Sequence, residues 1–298
     1  MYNNVGKINY LCKSYESYDQ YMNLVSENST NHNSNNLEFN KAIDKVNIEF
    51  KNVSFSYDGK SNVLTNVSFK ILEKSKTALV GLNGEGKTTI VSLICRLVKP
   101  NKGEILLNGV NINTIPYEYY LSKLCILLQD YFLFAFTIRE NIIFDKELDL
   151  RGYNESLKKA DIKVKIETFP SKDLTSYSKR LDNSGIELSG GESQKLLYAR
   201  NLYKNGLFYI LDEPTSTLDP IAENSFYSKI KNDLADKTLL YISHRLSSTI
   251  MCDNILVLSN GQVLEQGTHE ELMNNKGLYY LLFNEQAKYY KNGVKNEE

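Results

Sequence analysis

The run from Gly81 to Thr89, Gly-Leu-Asn-Gly-Glu-Gly-Lys-Thr-Thr, constrains this chain more than any other feature. It matches G-x-x-x-x-G-K-[ST] and directly follows the short apolar run Ala78-Leu79-Val80, the strand–loop–helix context that a phosphate-binding P-loop requires. Glycines let backbone N–H groups turn inward around phosphates. Lys87 is placed to reach the β- and γ-phosphates, Thr88 offers a hydroxyl to Mg²⁺, and the following helix points its positive N-terminus at the anion.

With 298 residues the chain suits one large domain plus an appendage, or two small domains. Its 35 basic residues balance 36 acidic ones, so no electrostatic footprint for nucleic acid is present and nucleic acid is not expected as a partner. Cys12, Cys95, Cys125 and Cys252 are widely spaced, which fits free thiols in a reducing cytosol rather than a disulfide or zinc framework. No cleavable signal is evident, and no run approaches the ~18 apolar residues needed to span a bilayer. Any membrane attachment is expected to be peripheral.

Along the chain, Ile8, Leu11, Tyr15, Tyr18, Met22 and Val25 alternate three and four apart, predicting an amphipathic helix within residues 1–25. That helix either docks on a partner or folds back on its own domain. The stretch up to Asn36 is Ser-, Asn- and Thr-rich with nothing to bury, and residues 26–45 read as a polar linker; the Asn28-Ser29-Thr30 sequon within it is read as incidental in a cytosolic chain. From Val46 the pattern changes to period two. Ile48 and Phe50, then Val53, Phe55 and Tyr57, suggest an edge strand pair closed by a turn at Asp58-Gly59.

Strands are predicted over 66–71 and 77–80, then a helix after the loop whose face carries Ile90, Leu93, Ile94 and Leu97 and ends before Pro100. Turn signals at Asn101-Lys102-Gly103 and Asn108-Gly109 bracket a strand at 104–107 in a small antiparallel sheet. A strand over 125–128 leads to Gln129-Asp130, and helical patterns continue to about Ser184, one opened by the capping box Thr137-x-x-Glu140. Leu188-Ser189-Gly190-Gly191-Glu192 runs into a helix with Leu196, Ala199, Leu202 and Tyr203 on one face. The run 207–211 reads as a buried parallel strand delivering Asp212 and Glu213 at its carboxyl end, where ligands of open α/β sheets bind. Strands at 238–242, 255–258 and 262–265 and a C-terminal helix over 277–290 complete the chain, with a polar tail at 291–298.

These residues resemble the nucleotide-binding domain of an ATP-binding cassette (ABC) transporter over about 46–290. The motifs stand in the family's order: a Walker A loop at Gly81 to Thr89, a Q-loop at Gln129, a signature at Leu188 to Glu192, a Walker B strand ending in Asp212-Glu213, a D-loop at Ser216-Thr217-Leu218-Asp219, and a switch histidine at His244. Thr137-Ile138-Arg139-Glu140-Asn141-Ile142 and Gly267-Thr268-His269-Glu270-Glu271-Leu272 look like the exporter branch. The fold implied is α/β, a P-loop NTPase whose core sheet is mainly parallel, with an antiparallel β-subdomain and a helical subdomain over about 130–203.

The resemblance also assigns roles. Gly81, Asn83, Gly84, Gly86, Lys87, Thr88 and Thr89 hold the phosphates of ATP, and Tyr57 stacks on the adenine. Thr88, Gln129 and Asp212 hold Mg²⁺, Glu213 polarises the attacking water, and Gln129 and His244 sense the γ-phosphate. Ser189, Gly190, Gly191 and Glu192, with Asp219, serve the ATP bound by a second cassette, so the implied assembly is a homo- or heterodimer on a transmembrane partner at the cytoplasmic face of the membrane. Tyr131, Phe132, Phe134 and Phe136 either line the groove for that partner or belong to the core. Two positions depart from the family pattern: Glu192 replaces the usual Gln, and Asn183 stands where an acidic residue is usual.

The function implied is ATP hydrolysis that energises export of a substrate whose contacts lie outside this sequence. The alternatives are a soluble ABC ATPase of DNA repair or translation, weakened by neutral charge and a single cassette, and a truncated non-catalytic module, weakened by intact Lys87, Asp212, Glu213 and His244. The first 45 residues resemble the cytosolic end of a half-transporter's membrane domain, so the sequence is either a separate subunit or a piece beginning at an internal methionine.

Overall fold

A computed structural model describes residues 43–128, 131–144, 146–179, 184–214 and 220–293. The expected N-terminal helix, Gln129, the D-loop with Asp219, and Asn183 lie outside the described residues. In chain order the strands are β1 (Ile48–Phe55), β2 (Leu64–Ile71) and β3 (Lys76–Val80), followed by helix α1 (Lys87–Ile94). Next come β4 (Lys102–Leu107), β5 (Val110–Asn111), α2 (Tyr117–Ser122) and β6 (Leu124–Leu127). Helices α3 (Ile138–Ile143), α4 (Leu150–Lys159), α5 (Lys163–Glu167) and α6 (Gly190–Lys204) precede β7 (Phe208–Asp212) and α7 (Pro220–Asp233). The chain continues through β8 (Thr238–Ile242), a 3-10 turn (Leu246–Met251), β9 (Asn254–Ser259), β10 (Gln262–Gly267), α8 (His269–Asn275) and α9 (Leu278–Gly293).

Two sheets form, as the α/β reading expects. One is antiparallel, in the order β2-β1-β4-β5; the other runs β10-β9-β3-β8-β7-β6 and is parallel except where β10 returns against β9. Every residue of β3, β7 and β8 is buried, because both faces of the parallel sheet are covered. Ala78, Tyr209, Leu211 and Tyr241 face a core shared with α6 and α7. Leu79, Phe208, Ile210 and Ile242 face a second core shared with α1 and the antiparallel sheet. Alternation along each strand thus joins two cores through one sheet.

Several expectations need correction. Residues 48–57 give one strand, and it lies inside the antiparallel sheet rather than at its edge. The break in period between Phe50 and Val53 is a bulge at Asn52, whose φ is 49°, and the extra residue keeps Phe50, Val53 and Phe55 all buried. The helix after the P-loop ends at Ile94, capped by Cys95, which leaves Leu97 exposed. Past α5 the helical expectation fails: Ser176 and Tyr177 are extended and bridge to Thr137 and Ile186. Helix α8 carries no broad apolar face that would announce it, yet Thr268 and Glu271 close a capping box at its start.

Ile43, within the stretch read as linker, is buried, and its N–H donates to the Tyr119 hydroxyl at 2.8 Å. Among the described residues no helix is long and apolar enough to cross a membrane.

Candidate nucleotide site

Parallel pairing decides where the site lies. Strands β3, β8 and β7 are neighbours running the same way, so the residues that follow Val80, Ile242 and Leu211 emerge at one edge. That edge brings together Gly81, His244, Asp212 and Glu213, the positions the motifs single out.

The P-loop bends tightly between β3 and α1. A Cβ at Gly81 would sit 2.5 Å from the Leu258 carbonyl oxygen. Gly86, the N-cap of α1, holds φ at 99° with the Leu64 side chain 2.7 Å from where its Cβ would be. Neither position admits a side chain. No side chain caps α1, and no acidic residue stands in its first turn, so the positive end of this helix is left for an outside anion. The Lys87 ammonium donates to the carbonyls of Gly81 (2.9 Å) and Leu82 (2.8 Å), which hold it at the mouth of the loop. Burial lowers its pKa, opposed by Glu213, Asp212 and Glu85.

Asp212 is buried, whereas Glu213 has turned out of the strand with φ at 49° and is held there by its N–H, which donates to the Ile242 carbonyl at 2.9 Å. A left-handed conformation at a non-glycine residue costs energy, and here it aims a carboxylate across β8. Glu213 Oε1 meets His244 Nε2 directly. Burial pushes the Glu213 carboxyl up, countered by Lys87; burial, reinforced by Lys87 and opposed by Asp212, pushes the His244 imidazole down. The lowered imidazole pKa favours a neutral ring that can donate Nε2–H to Glu213, and the raised carboxyl pKa makes the Glu213 carboxylate a stronger base than an ordinary Glu.

Tyr57 is well exposed and stands edge-on against Phe55, with ring centroids 4.8 Å apart. Its hydroxyl lies 3.3 Å from Thr89 Oγ1, which fixes an aromatic face beside the start of α1. Thr88 is exposed at the same place. For Mg²⁺ the donors fit: a hydroxyl from Thr88 and a carboxylate from Asp212 are hard oxygens, and this ion is usually held by one or two protein groups together with substrate phosphates. Among the described residues no cluster of three or more His, Cys, Asp or Glu could form a dedicated metal cage.

The signature lies on another element. Ser189 caps α6 in a closed capping box: Ser189 N–H donates to Glu192 Oε2 at 2.9 Å, and Glu192 N–H donates to Ser189 Oγ at 3.3 Å. Glu192 Oε1 also pairs with Lys165 at 2.9 Å, and Lys165 together with the Ser189 N–H holds its carboxyl below the usual range. The S-x-x-E spacing announces this box, in which Glu192 has a capping use beside its departure from the usual Gln.

Of the aromatic run after the Q-loop, half-buried Tyr131 packs against the core, whereas the three phenylalanines belong to the surface. Phe132, Phe134 and Phe136 are exposed, Phe134 and Phe136 stack at 5.7 Å, and Phe144 meets Phe134 edge-on at 5.6 Å. Beneath them buried Asn141 accepts from Phe134 N–H and donates to its carbonyl, while Arg200 donates to the Asn141 carbonyl at 2.6 Å and lies over the Phe144 ring. Periodicity alone could not tell an aromatic patch from a buried face. A cavity of about 700 Å³ lies instead at the amino ends of β3 and β9, beside Thr77 and Asn254, away from the converging strand ends.

The family described as ABC transporter matches residues 64–216, just over half the chain. The chain belongs to the ABC transporter family. The cassette is 39% identical over 238 residues to the putative multidrug export ATP-binding/permease protein YgaD of Bacillus subtilis, covering 79% of this chain and 40% of that one. It is 34% identical to the subtilin transport ATP-binding protein SpaT of Bacillus subtilis, covering 78% and 38%. A solved bacterial Atm1-family ABC exporter with ATP bound superposes with a TM-score of 0.77 at 33% identity, over 83% of this chain and 43% of that one. The cassette therefore has the ABC ATPase fold of exporters and spans about two fifths of the length of these relatives.

Proposed function

We propose that this cassette binds and hydrolyses Mg-ATP and that the hydrolysis energises export through transmembrane helices, with the cassette held as a peripheral subunit at the cytoplasmic face of the membrane. The observation that carries the reading is the convergence of Lys87, Asp212, Glu213 and His244 at one edge of the parallel sheet.

In this reading the P-loop amides and Lys87 bind the β- and γ-phosphates, and Tyr57 receives the adenine ring. Thr88 and Asp212, with Gln129, hold Mg²⁺, which when bound neutralises phosphate charge. Glu213 orients the attacking water and takes its proton, a task suited to a carboxyl whose pKa is raised toward the working pH. His244 fixes the Glu213 carboxylate through Nε2 and stands ready to meet the γ-phosphate. Ser189, Gly190 and Gly191 complete the site of a second cassette, with Asp219 at the dimer contact. The exposed aromatic patch from Phe132 to Phe144 receives the transmembrane partner.

A paired test separates binding from chemistry. Lys87→Ala removes the cation that meets the phosphates and is expected to lose nucleotide binding, read by a fluorescent ATP analogue. Glu213→Gln keeps shape but cannot accept the proton, so turnover is expected to fall at least ~10²-fold while ATP stays bound and light scattering detects a dimer. Wild-type affinity in the first variant, or normal turnover by a monomer in the second, would falsify the assignment.

A further inference from the structure

The loop that carries His244 is gripped by the C-terminal helix through one side chain. The Gln286 amide spans the backbone on either side of Arg245: its Oε1 accepts from Leu246 N–H at 2.9 Å, and its Nε2 donates to the His244 carbonyl. A carboxamide is suited to this because it is a donor and an acceptor at once, in one plane. Within the loop, Arg245 N–H donates to Ser243 Oγ at 2.9 Å and the Ser248 hydroxyl donates to the Arg245 carbonyl at 2.6 Å. These local bonds shape the turn, and Gln286 fixes it from outside.

Helix α9 is a firm anchor for that grip. Tyr279, one face-repeat before Gln286, is fully buried, and its hydroxyl lies 2.8 Å from Thr249 Oγ1 and 2.8 Å from His269 Nδ1. Glu265 accepts from the N–H groups of Leu278 and Tyr279 at the start of the helix. Leu282 and Gln286 then reach a cavity of about 160 Å³ whose other walls include Gly81, Asn83 and His244. The same helix face thus touches the 3-10 turn and the histidine loop, and shares a cavity with the P-loop.

We propose that Gln286 is a positioning residue for hydrolysis: it holds the His244 backbone so that Nε2 stays on Glu213, making the C-terminal helix part of the hydrolytic machinery without touching ATP. This role rests on the reading of Glu213 and His244 given above. Breaking the bridge lets the imidazole leave the carboxylate, which weakens a step made in the transition state and leaves ground-state nucleotide binding alone.

ATP turnover, binding of a fluorescent ATP analogue and melting temperature are measured on the full 298-residue chain. In Gln286→Leu, kcat is expected to fall about tenfold while KM and analogue affinity stay within about twofold. Gln286→Glu keeps the acceptor for Leu246 N–H but sets a carboxylate against the His244 carbonyl, and is expected to lose at least as much turnover. Phe283→Leu thins the packing of the same helix on His269 and Tyr279 but keeps the Gln286 amide, and is expected to lower the melting temperature while costing less kcat than Gln286→Leu. An unchanged kcat in both Gln286 variants overturns the proposal. So does a loss of kcat that tracks analogue affinity and melting temperature together, since that marks a merely structural contact. A wild-type chain that binds the analogue and hydrolyses nothing overturns the reading of Glu213 and His244, and this role with it.

Discussion

Glu213 and His244 touch through Oε1 and Nε2, although they sit on loops that follow different strands, because β7 and β8 run parallel with Asp212 paired to Ile242. Burial moves the carboxyl up against the pull of Lys87, and burial and Lys87 together move the imidazole down.

Turnover is therefore expected to depend on pH in a defined direction. As the proposed base Glu213 would act ionised, and its pKa is raised above the ordinary 4.5, so kcat should rise through an acid limb whose midpoint lies above that value. His244, lowered from 6.5, is neutral across the neutral range and adds no further limb there. The measurement is kcat under saturating Mg-ATP from about pH 5 to 8. A flat profile, or a midpoint at or below the ordinary carboxylate value, sinks the role of Glu213 as base.

How much of this was legible in the sequence depends on how local the physics is. The P-loop, the Asp212-Glu213 strand end and the Thr137 capping box are short-range patterns, and the structure has them where they were expected. Leu97 and the Asn52 bulge misled because periodicity counts residues and not geometry: a bulge restores facing by inserting one residue, and a helix can stop before its last apolar position. The pairs Arg245–Glu223 and Gln286–His244 had no local signal at all. They join segments brought together only once the sheet and α9 are built.

Glu192 gives a second prediction, because it serves α6 in two ways. Glu192→Gln, which restores the family's usual residue, keeps an acceptor for the Ser189 N–H and loses only the charge pair with Lys165. Since Lys165 is half exposed, solvent screens that pair, and the cost is expected to be under about 1 kcal/mol. Glu192→Ala loses the capping box as well and is expected to cost about 1 kcal/mol more. The folded-state pKa of Glu192 is depressed below 4.5, so its contribution is present above the unfolded value and is lost as pH falls through the folded one. Urea midpoints at neutral and acid pH check both statements. Equal destabilisation by Gln and Ala at neutral pH would show that the charge, not the cap, matters.

The last prediction concerns the other grip on the histidine loop. The Arg245 guanidinium pairs with Glu223 of α7, a carboxylate only 5% exposed whose second oxygen accepts from the Tyr227 hydroxyl. Removing one partner of a buried pair leaves a charge that water cannot reach, which costs more than the pair contributes. Arg245→Met should therefore destabilise the chain by about 2 kcal/mol, less than the 3–5 kcal/mol of a fully sealed pair because Arg245 keeps part of its surface in water. Turnover should fall as well, since the loop then loses one of the side-chain grips that hold it. Adding Glu223→Gln removes the stranded charge while keeping the side chain's shape. The double variant is thus expected to be more stable than Arg245→Met, and a thermodynamic cycle on urea midpoints should show coupling of at least ~1 kcal/mol. Strict additivity of the two substitutions would mean that Arg245 and Glu223 do not act as a pair.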